Sequence, residues 1–166
     1  MPITRIAKFE DLVAFAAESG IPHEADAEKQ IMVLPLSERL LTGQILIRWE
    51  KQLPYAQLVY PMVKDVPAER RAEVEHAICR ANNTIPLPGF AYEYTNNFIY
   101  FRLTVPMYEE GMLAQSFRRQ IDAVRNNAKD FLVPFQRVVN HESAGERICD
   151  LAVEFARENP PPPTQG

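Results

Sequence analysis

The alternation of hydrophobic and polar positions predicts strands in two parts of the chain. In the first part, three strands follow one another at residues 30–36, 43–50 and 55–63, joined by short connections such as Lys51–Pro54. In the second part, the stretch from Asn83 to Val105 predicts a β-hairpin that turns at Asn96-Asn97, because asparagine tolerates the positive φ angles of a two-residue turn. This register places six residues on the buried face: Phe90, Tyr92, Tyr94, Ile99, Phe101 and Leu103.

A period of 3.6 residues predicts four helices around these strands. They should run from about Thr4 to Ser19 with a stop at Gly20, from Pro67 to Asn82 or Asn83, from Leu113 to Val138, and from a Ser143/Glu146 capping box through Phe155. Pro134 lies inside the third helix. Because proline removes a backbone hydrogen bond and costs about 3 kcal/mol in a helix interior, we expect a kink or a break just before it.

The order of elements is therefore helix, three strands, helix, two strands, helix, helix. It predicts an α+β fold with a five-stranded antiparallel sheet and helices packed mainly on one face, in the order α-βββ-α-ββ-α-α. Pro35 lacks a backbone donor, which favours a sheet edge or a strand end for the first strand. We expect a single domain at residues 1–158 and a flexible proline-rich tail at residues 159–166, since four consecutive prolines cannot continue a helix.

Composition and charge narrow the possible functions. The 166 residues are 46% hydrophobic and 24% charged, which fits one globular domain with its own core. A net charge of -4 and a pI near 5.4 argue against a general nucleic-acid-binding protein. The first residues lack the features of a signal peptide, and no apolar run reaches the length of a membrane span. We therefore expect a cytoplasmic protein that binds neither nucleic acid nor membrane.

The reactive residue types form no recognisable catalytic or metal-binding motif. His23, His76 and His141 lie in three different elements, without the i, i+4 spacing of metal ligands on a helix. Cys79 and Cys149 have no C-x-x-C partner and are expected to be ordinary half-buried thiols. The six glycines form no phosphate-binding loop, and no serine lies in a G-x-S-x-G turn. We expect no enzymatic activity, no cofactor and no metal.

The third helix carries basic residues on its outer face: Arg118, Arg119, Arg125 and Lys129. A solvated face, interrupted by Asp122 and Asp130, is the simpler interpretation. Contact with an acidic partner or with phosphate groups is the alternative.

Three apolar residues fall on strand faces that the alternation predicts to be polar: Leu46, Phe98 and Tyr100. Exposed apolar side chains mark a partner surface when they cluster and mean little when they are single. These three are our candidate protein-interaction residues.

The segment from Val66 to Phe135 resembles the YbjN-like bacterial proteins, which are called sensory-transduction regulators and are similar in fold to class I type III secretion chaperones. The resemblance depends on Val66-Pro67 opening a helix, Arg80–Asn83 at its exit, Gly89-Phe90 entering a strand, a hairpin that ends at Leu103–Pro106, and a helix with Ala128, Phe131 and Pro134. It implies the element order given above, no enzymatic activity, frequent homodimers and action through protein binding.

These observations predict a non-enzymatic protein-binding module with a chaperone-like, adaptor or regulatory role in a bacterial cytoplasm. Its partner would be a protein client or a regulatory protein, and the protein itself a homodimer. An apolar sheet or helix surface would accept an extended segment or an amphipathic helix. The alternative is a small-molecule-binding regulator, or a hydrolase without a recognisable motif, that has a pocket between sheet and helices.

Overall fold

The computed structural model describes residues 3–50 and 52–160, which contain four α-helices and eight strands. The strands are β1 (Arg5–Ile6), β2 (Glu24–Asp26), β3 (Ile31–Glu38), β4 (Leu41–Trp49), β5 (Tyr55–Val63), β6 (Phe90–Glu93), β7 (Phe98–Pro106) and β8 (Met112–Leu113). The helices are α1 (Phe9–Glu18), α2 (Arg71–Thr84), α3 (Ala114–Val139) and α4 (Ile148–Glu158). Short 3₁₀ turns at Ala68–Arg70 and Gly145–Arg147 precede α2 and α4.

The main sheet is antiparallel and has six strands in the order β2-β3-β4-β5-β7-β6, while β1 and β8 form a separate pair. The α+β class is confirmed, but the prediction of a five-stranded sheet is wrong. The additional strand β2 has the sequence Glu-Ala-Asp and pairs with β3 at the edge of the sheet. Three largely polar edge residues give no hydrophobic alternation, so the sequence pattern carries no sign of this strand. Packing of the helices mainly on one face stays a prediction.

The described residues divide into two compact units, and β5, β7 and α3 each run from one unit into the other. The first unit contains residues 3–61 and 100–128, and the second contains residues 62–99 and 129–160. The single domain at residues 1–158 stays a prediction. Lys51 in the predicted connection, and residues 161–166 of the predicted tail, lie outside the described residues.

Cross-strand pairs of apolar side chains build the sheet's part of the first unit's core. Met32 lies opposite Ile47, Leu34 lies opposite Ile45, and Ile47 lies in turn opposite Leu58. All five are buried, and so are the β5 residues predicted for this face. Such pairs on one face are the unit of sheet stabilisation, which explains why strict alternation located β4 and β5 well.

The first helix begins at Phe9 and not at Thr4, because residues 5–6 form β1 instead. The carboxylate of Asp11 accepts the backbone N–H groups of the two residues that precede the helix, at 3.0 and 3.2 Å, and so caps its start. Ile6 is nevertheless fully buried, so its place in the apolar pattern does not reveal that it lies outside the helix. The predicted stop at Gly20 is confirmed by its φ of 64°.

Pro35 lies where the edge of β3 is open, as predicted. β2 pairs only with Ile31–Val33. The Trp49 N–H donates to the Gln30 carbonyl, so even-numbered residues of β3 bond to β4 and odd-numbered residues direct their backbone groups to the other edge. Pro35 therefore occupies an outward position where its missing N–H interrupts no ladder bond.

The β6–β7 connection contains four residues, Tyr94–Asn97, so the predicted two-residue turn is wrong. Asn97 alone of the two asparagines has a positive φ, 51°. The Glu93 carboxylate accepts hydrogen bonds from the backbone N–H groups of the two middle turn residues, Thr95 at 3.0 Å and Asn96 at 2.6 Å. These bonds stabilise the longer turn. As a result Tyr94, predicted to be buried, is 59% exposed.

The other predicted core positions of the hairpin are confirmed except for Leu103, which is half-buried. In the second unit Phe90 packs against two phenylalanines of α3, with ring centres 4.9 Å from Phe131 and 5.2 Å from Phe135. The side chain of Asn82 holds the entrance to β6: it accepts the N–H groups of Gly89 and Phe90 and donates to the Phe90 carbonyl at 2.8 Å. An α2 side chain therefore fixes where β6 begins.

The predicted Ser143/Glu146 capping box is wrong. The 3₁₀ turn before α4 starts without a side-chain cap of its own, and the Gly145 N–H instead donates to Glu73 of α2 at 2.7 Å. A Cβ at Gly145 would overlap the Glu73 carbonyl oxygen, which explains the glycine there. The predicted apolar face of α4 is confirmed by four buried residues: Ile148, Leu151, Ala152 and Phe155.

Arg70 binds backbone carbonyl groups at the end of α3 and in the connection that follows it. Its Nε donates to the Val138 carbonyl at 2.9 Å, and a terminal nitrogen donates to the Ser143 carbonyl at 3.2 Å. A cation at this position also complements the negative end of the helix dipole.

The longest helix, α3, continues through Pro134, so a break before the proline is excluded. Buried residues on both sides of the proline, Phe131 and Phe135, anchor the two halves of the helix. Packing therefore outweighs the local cost of the missing hydrogen bond. No helix within residues 3–50 and 52–160 combines the length and hydropathy needed to cross a membrane.

Candidate functional site

One face of the β3–β4–β5 ladder carries a row of half-buried aliphatic side chains. Leu46 lies in the middle, opposite Val33 of β3 and Val59 of β5. All three are half-buried, whereas Ile45 and Ile47, which point to the other face of β4, are fully buried. The ladder thus has one closed face and one accessible apolar row, and the predicted interaction residue Leu46 lies in that row.

Phe98 and Tyr100, the other two predicted interaction residues, project from β7 and are both half-buried. Phe98 belongs to the second unit and Tyr100 to the first. Both rings are thus partly accessible. That they form one surface with Leu46 stays a prediction.

A cluster that the sequence did not predict surrounds Arg71 at the start of α2. The guanidinium carbon lies 5.7 Å from the ring centre of Tyr92 and 5.6 Å from that of Tyr94, distances typical of cation–π contacts. Oδ1 of Asn97 accepts hydrogen bonds from Arg71 at 3.2 Å and from the Tyr92 hydroxyl at 2.9 Å. The Tyr94 hydroxyl donates to Glu75 at 2.8 Å. These contacts hold an exposed tyrosine in a defined orientation.

The available sequence signal for this cluster was the i, i+4 spacing of Arg71 and Glu75, which places both on one side of α2. The predicted hairpin register places Tyr94 on the buried face and so gives no indication of this exposed cluster. The hydrogen bond to Glu75 raises the pKa of Tyr94, because a phenol that donates to a carboxylate resists ionisation.

A cleft of about 270 Å³ opens in the first unit between the open edge of β3, the residues that follow α1, and the first half of α3. Its charged lining residues are Arg118, Arg125, Glu38 and Asp122. Arg125 forms ion pairs with Glu38 and, at 3.1 Å, with Asp122. The basic face of α3 is therefore not uniformly solvated. Arg125 is paired with two carboxylates, and both Arg118 and Arg125 line the cleft.

Tyr60 and Asp130 also have perturbed pKa values, without forming a catalytic arrangement. Burial raises the pKa of the Tyr60 phenol, with a further contribution from the negative charge of Glu38, and its hydroxyl donates to the Thr42 carbonyl at 2.7 Å. Burial also raises the pKa of Asp130, partly offset by the positive charge of Lys129. These shifts follow from packing.

The histidines are as dispersed as the sequence predicts. Nδ1 of His23 lies 2.8 Å from a backbone carbonyl two residues earlier, His76 is exposed on α2, and His141 is exposed after α3. In the part of the chain that the structure describes, no three His, Cys, Asp or Glu side chains lie close enough to hold a metal ion.

Both cysteines are free thiols, but only one has the predicted exposure. Cys149 is half-buried and its Sγ lies 3.1 Å from the Thr84 hydroxyl, whereas Cys79 is exposed on α2. Cys79 therefore contributes less to packing than its position in a helical pattern suggests.

The chain matches the family model YbjN, described as "Putative bacterial sensory transduction regulator", over residues 9–137. The match starts with α1, well before the resemblance that began at Val66, and ends before α4. No curated protein matches the chain.

A solved structure is similar as well: the crystal structure of YbjN from E. coli, described as a putative transcription regulator. The TM-score is 0.64 at 8% sequence identity, and the match covers 83% of this chain and 96% of the other. At that identity the similarity shows the fold alone. The family match, however, extends over most of the chain, and the protein therefore belongs to the YbjN family.

Proposed function

We propose that this protein is a non-enzymatic regulatory module that acts by binding another protein in a bacterial cytoplasm. The family description supports a regulatory role. The observation that carries protein binding is the row of Val33, Leu46 and Val59 on the accessible face of the ladder. A row of half-buried aliphatic side chains offers apolar surface that a partner can cover without any unfolding.

The mechanism is the docking of an extended segment or an amphipathic helix against this row. The closed face of the same ladder is packed by cross-strand pairs, so the row is held in place before the partner arrives and little order has to be gained on binding. Gln44 and Arg48 lie two residues before and two residues after Leu46, on the same face of β4. Both are exposed and provide a polar rim. The bound protein is a client or a regulatory partner, and the module itself is a homodimer.

The test compares Leu46→Asp and Tyr100→Asp with Val153→Asp, a control on α4 where the native side chain is already 50% exposed. Each variant is first checked for native circular dichroism and cooperative unfolding. Partners are then identified from the native cell lysate by affinity capture and mass spectrometry. We expect Leu46→Asp and Tyr100→Asp to lose specific partners that Val153→Asp retains. Identical partner profiles for all three would contradict the role of this face.

A small-molecule-binding regulator is the second candidate, and the cleft of about 270 Å³ beside β3 is the observation that favours it. Its volume is near the lower end for ligand pockets, and its mixture of apolar and charged residues could orient a small anion. A thermal-shift screen of small carboxylates and phosphates tests this function. A ligand that stabilises the wild type but not Arg118→Gln supports it, whereas equal stabilisation of both places the ligand elsewhere.

A further inference from the structure

A groove of about 340 Å³ in the first unit is lined by residues 49–50 and 52–55, residues 107–109 and Ala7. Its lining is largely apolar and aromatic. Leu53 is 52% exposed, Tyr108 is 64% exposed, and Trp49 and Tyr55 are half-buried. Tryptophan and tyrosine are the residues that most often dominate the binding energy of protein interfaces. We call this feature the Trp49 groove.

Backbone hydrogen bonds hold the two segments of the Trp49 groove in place. The Met107 N–H donates to the Pro54 carbonyl at 2.7 Å and so ties one segment to the other. The Tyr55 N–H donates to the Leu53 carbonyl at 2.8 Å, which fixes the turn that presents Leu53. The groove is therefore formed before any ligand binds, and the ordering cost of binding is small.

Among the described residues, the charged side chains that line the Trp49 groove are Glu50 and Glu109, both acidic. Glu50 pairs with Arg48 at 2.8 Å, whereas Glu109 has no ion pair within the described residues. An arginine or lysine side chain complements such a site: its aliphatic part packs on apolar side chains, and its charged end faces aromatic rings and the carboxylate. A phosphate or carboxylate ligand would instead be repelled.

We propose that the Trp49 groove binds an extended segment of a partner protein in which an arginine or lysine stands beside apolar residues. This surface is separate from the Leu46 row, and its role does not depend on that row. The net charge of -4 also favours the approach of a basic partner.

Trp49 is the only tryptophan among the 166 residues, so intrinsic fluorescence reports binding at the groove or at the neighbouring depression that Trp49 also lines with Lys29 and Arg48. The probe is an acetylated and amidated peptide of sequence SGLRLGS, titrated at low ionic strength against the full-length protein. Its matched control is SGLQLGS, which lacks the charge. We expect a saturable change in Trp49 emission with SGLRLGS, and affinity for SGLQLGS about fivefold lower, as for loss of one exposed charge pair.

Glu109→Gln should lower the affinity for SGLRLGS to that for SGLQLGS. The neighbouring control Glu110→Gln, whose side chain does not line the groove, should leave it unchanged. Tyr108→Ala should weaken binding about tenfold, whereas Tyr94→Ala, which removes a comparably exposed tyrosine of the second unit, should have no effect. Because Lys51 lies outside the described residues, the titrations are repeated in Lys51→Gln, where the preference for arginine must persist.

Three results would overturn the proposal: no saturable change in emission, equal affinity for the two peptides, or equal effects of Glu109→Gln and Glu110→Gln. Concentration-dependent self-association that Tyr108→Ala abolishes, measured by sedimentation velocity, would assign the groove to a second copy of this chain and would overturn it too. None of these results bears on the Leu46 row, which the partner-capture experiment tests separately.

Discussion

The two compact units are stabilised by different kinds of interaction. In the first unit, β3, β4 and β5 satisfy one another's backbone groups and pair apolar side chains across the buried face. In the second, side chains of α2 and of the turn before it bond to backbone groups at the ends of other elements: Arg70 to Val138 and Ser143, Glu73 to Gly145, and Asn82 to Phe90. Buried side chains contribute to stability in both units, and the second unit adds a set of side-chain-to-backbone hydrogen bonds centred on α2.

The difference follows from the elements that each unit contains. Neighbouring antiparallel strands pair their N–H and C=O groups along their length. A helix instead leaves four N–H groups at its start and four C=O groups at its end without intrahelical partners. The second unit contains both ends of α2, both ends of α4 and the end of α3, so it needs side chains that reach from one element to the end of another.

The largest effect is expected for Phe101→Ala, which removes a fully buried ring of the first unit. The cavity and the lost apolar burial should reduce the free energy of unfolding by about 3–5 kcal/mol, measured by urea denaturation followed by circular dichroism. Arg102→Ala, at the adjacent exposed position, should change it by less than about 0.5 kcal/mol. Similar small losses at both positions would mean that the faces of β7 are assigned wrongly.

Arg70→Met should have the next largest effect, because it keeps most of the side-chain length but removes the donors to the Val138 and Ser143 carbonyls. A loss of about 1.5–3 kcal/mol is expected for hydrogen bonds from a charged group. Arg80→Met is the matched control, since Arg80 is an exposed arginine of α2. If the two variants unfold at the same urea concentration, capping of α3 by Arg70 contributes nothing measurable.

Asn82→Ala should cost about 1–2 kcal/mol, because the backbone groups of Gly89 and Phe90 lose their side-chain partner. The chain supplies its own control in Asn83, the next residue, which is exposed. Asn83→Ala should stay within about 0.5 kcal/mol of the wild type. Urea denaturation of both variants measures their free energies of unfolding. A larger loss of stability for Asn83→Ala than for Asn82→Ala would show that Asn82 does not hold the entrance to β6.

The smallest effect concerns the pH dependence of the hairpin turn. Backbone N–H groups of Asn96 and Thr95 hold the pKa of Glu93 below its usual range. A depressed pKa in the folded state contributes stability that is present above the unfolded value of about 4.3 and is lost as pH falls through the folded value. The stability difference between the wild type and Glu93→Gln, measured from neutral pH to pH 3, should therefore shrink below about pH 4.3. A difference that is constant with pH would show that the charge of Glu93 does not matter.

Local patterns predicted the elements that depend on local chemistry. The predicted bounds of β5 are confirmed, because its residues alternate strictly between half-buried and buried from Tyr55 to Met62, and only Val63 departs from that alternation. The start of α1, capped by Asp11, and the hairpin turn, stabilised by Glu93, differ from the prediction although both signals are local, because the hydrophobic period outweighs them. The cap that Glu73 provides to Gly145 joins residues 72 positions apart, and no local pattern can show it.

The same distinction applies to the candidate surfaces. Leu46 could be identified because a single apolar residue on a polar strand face departs from a regular pattern. The Arg71 cluster and the Trp49 groove could not, because each brings together a helix or strand and a connection from distant parts of the chain.

Pro35 has a consequence for how this protein behaves among other copies of itself. An open strand edge is a template on which other chains add strands, and this is a common route to aggregation during synthesis or at high concentration. Beyond β2, the outward backbone groups of β3 belong to Pro35 and Ser37, and proline has no N–H to offer. An incoming strand would find one donor there, too few to start a ladder. The proline thus makes this part of the β3 edge a poor template for strand addition beside the cleft.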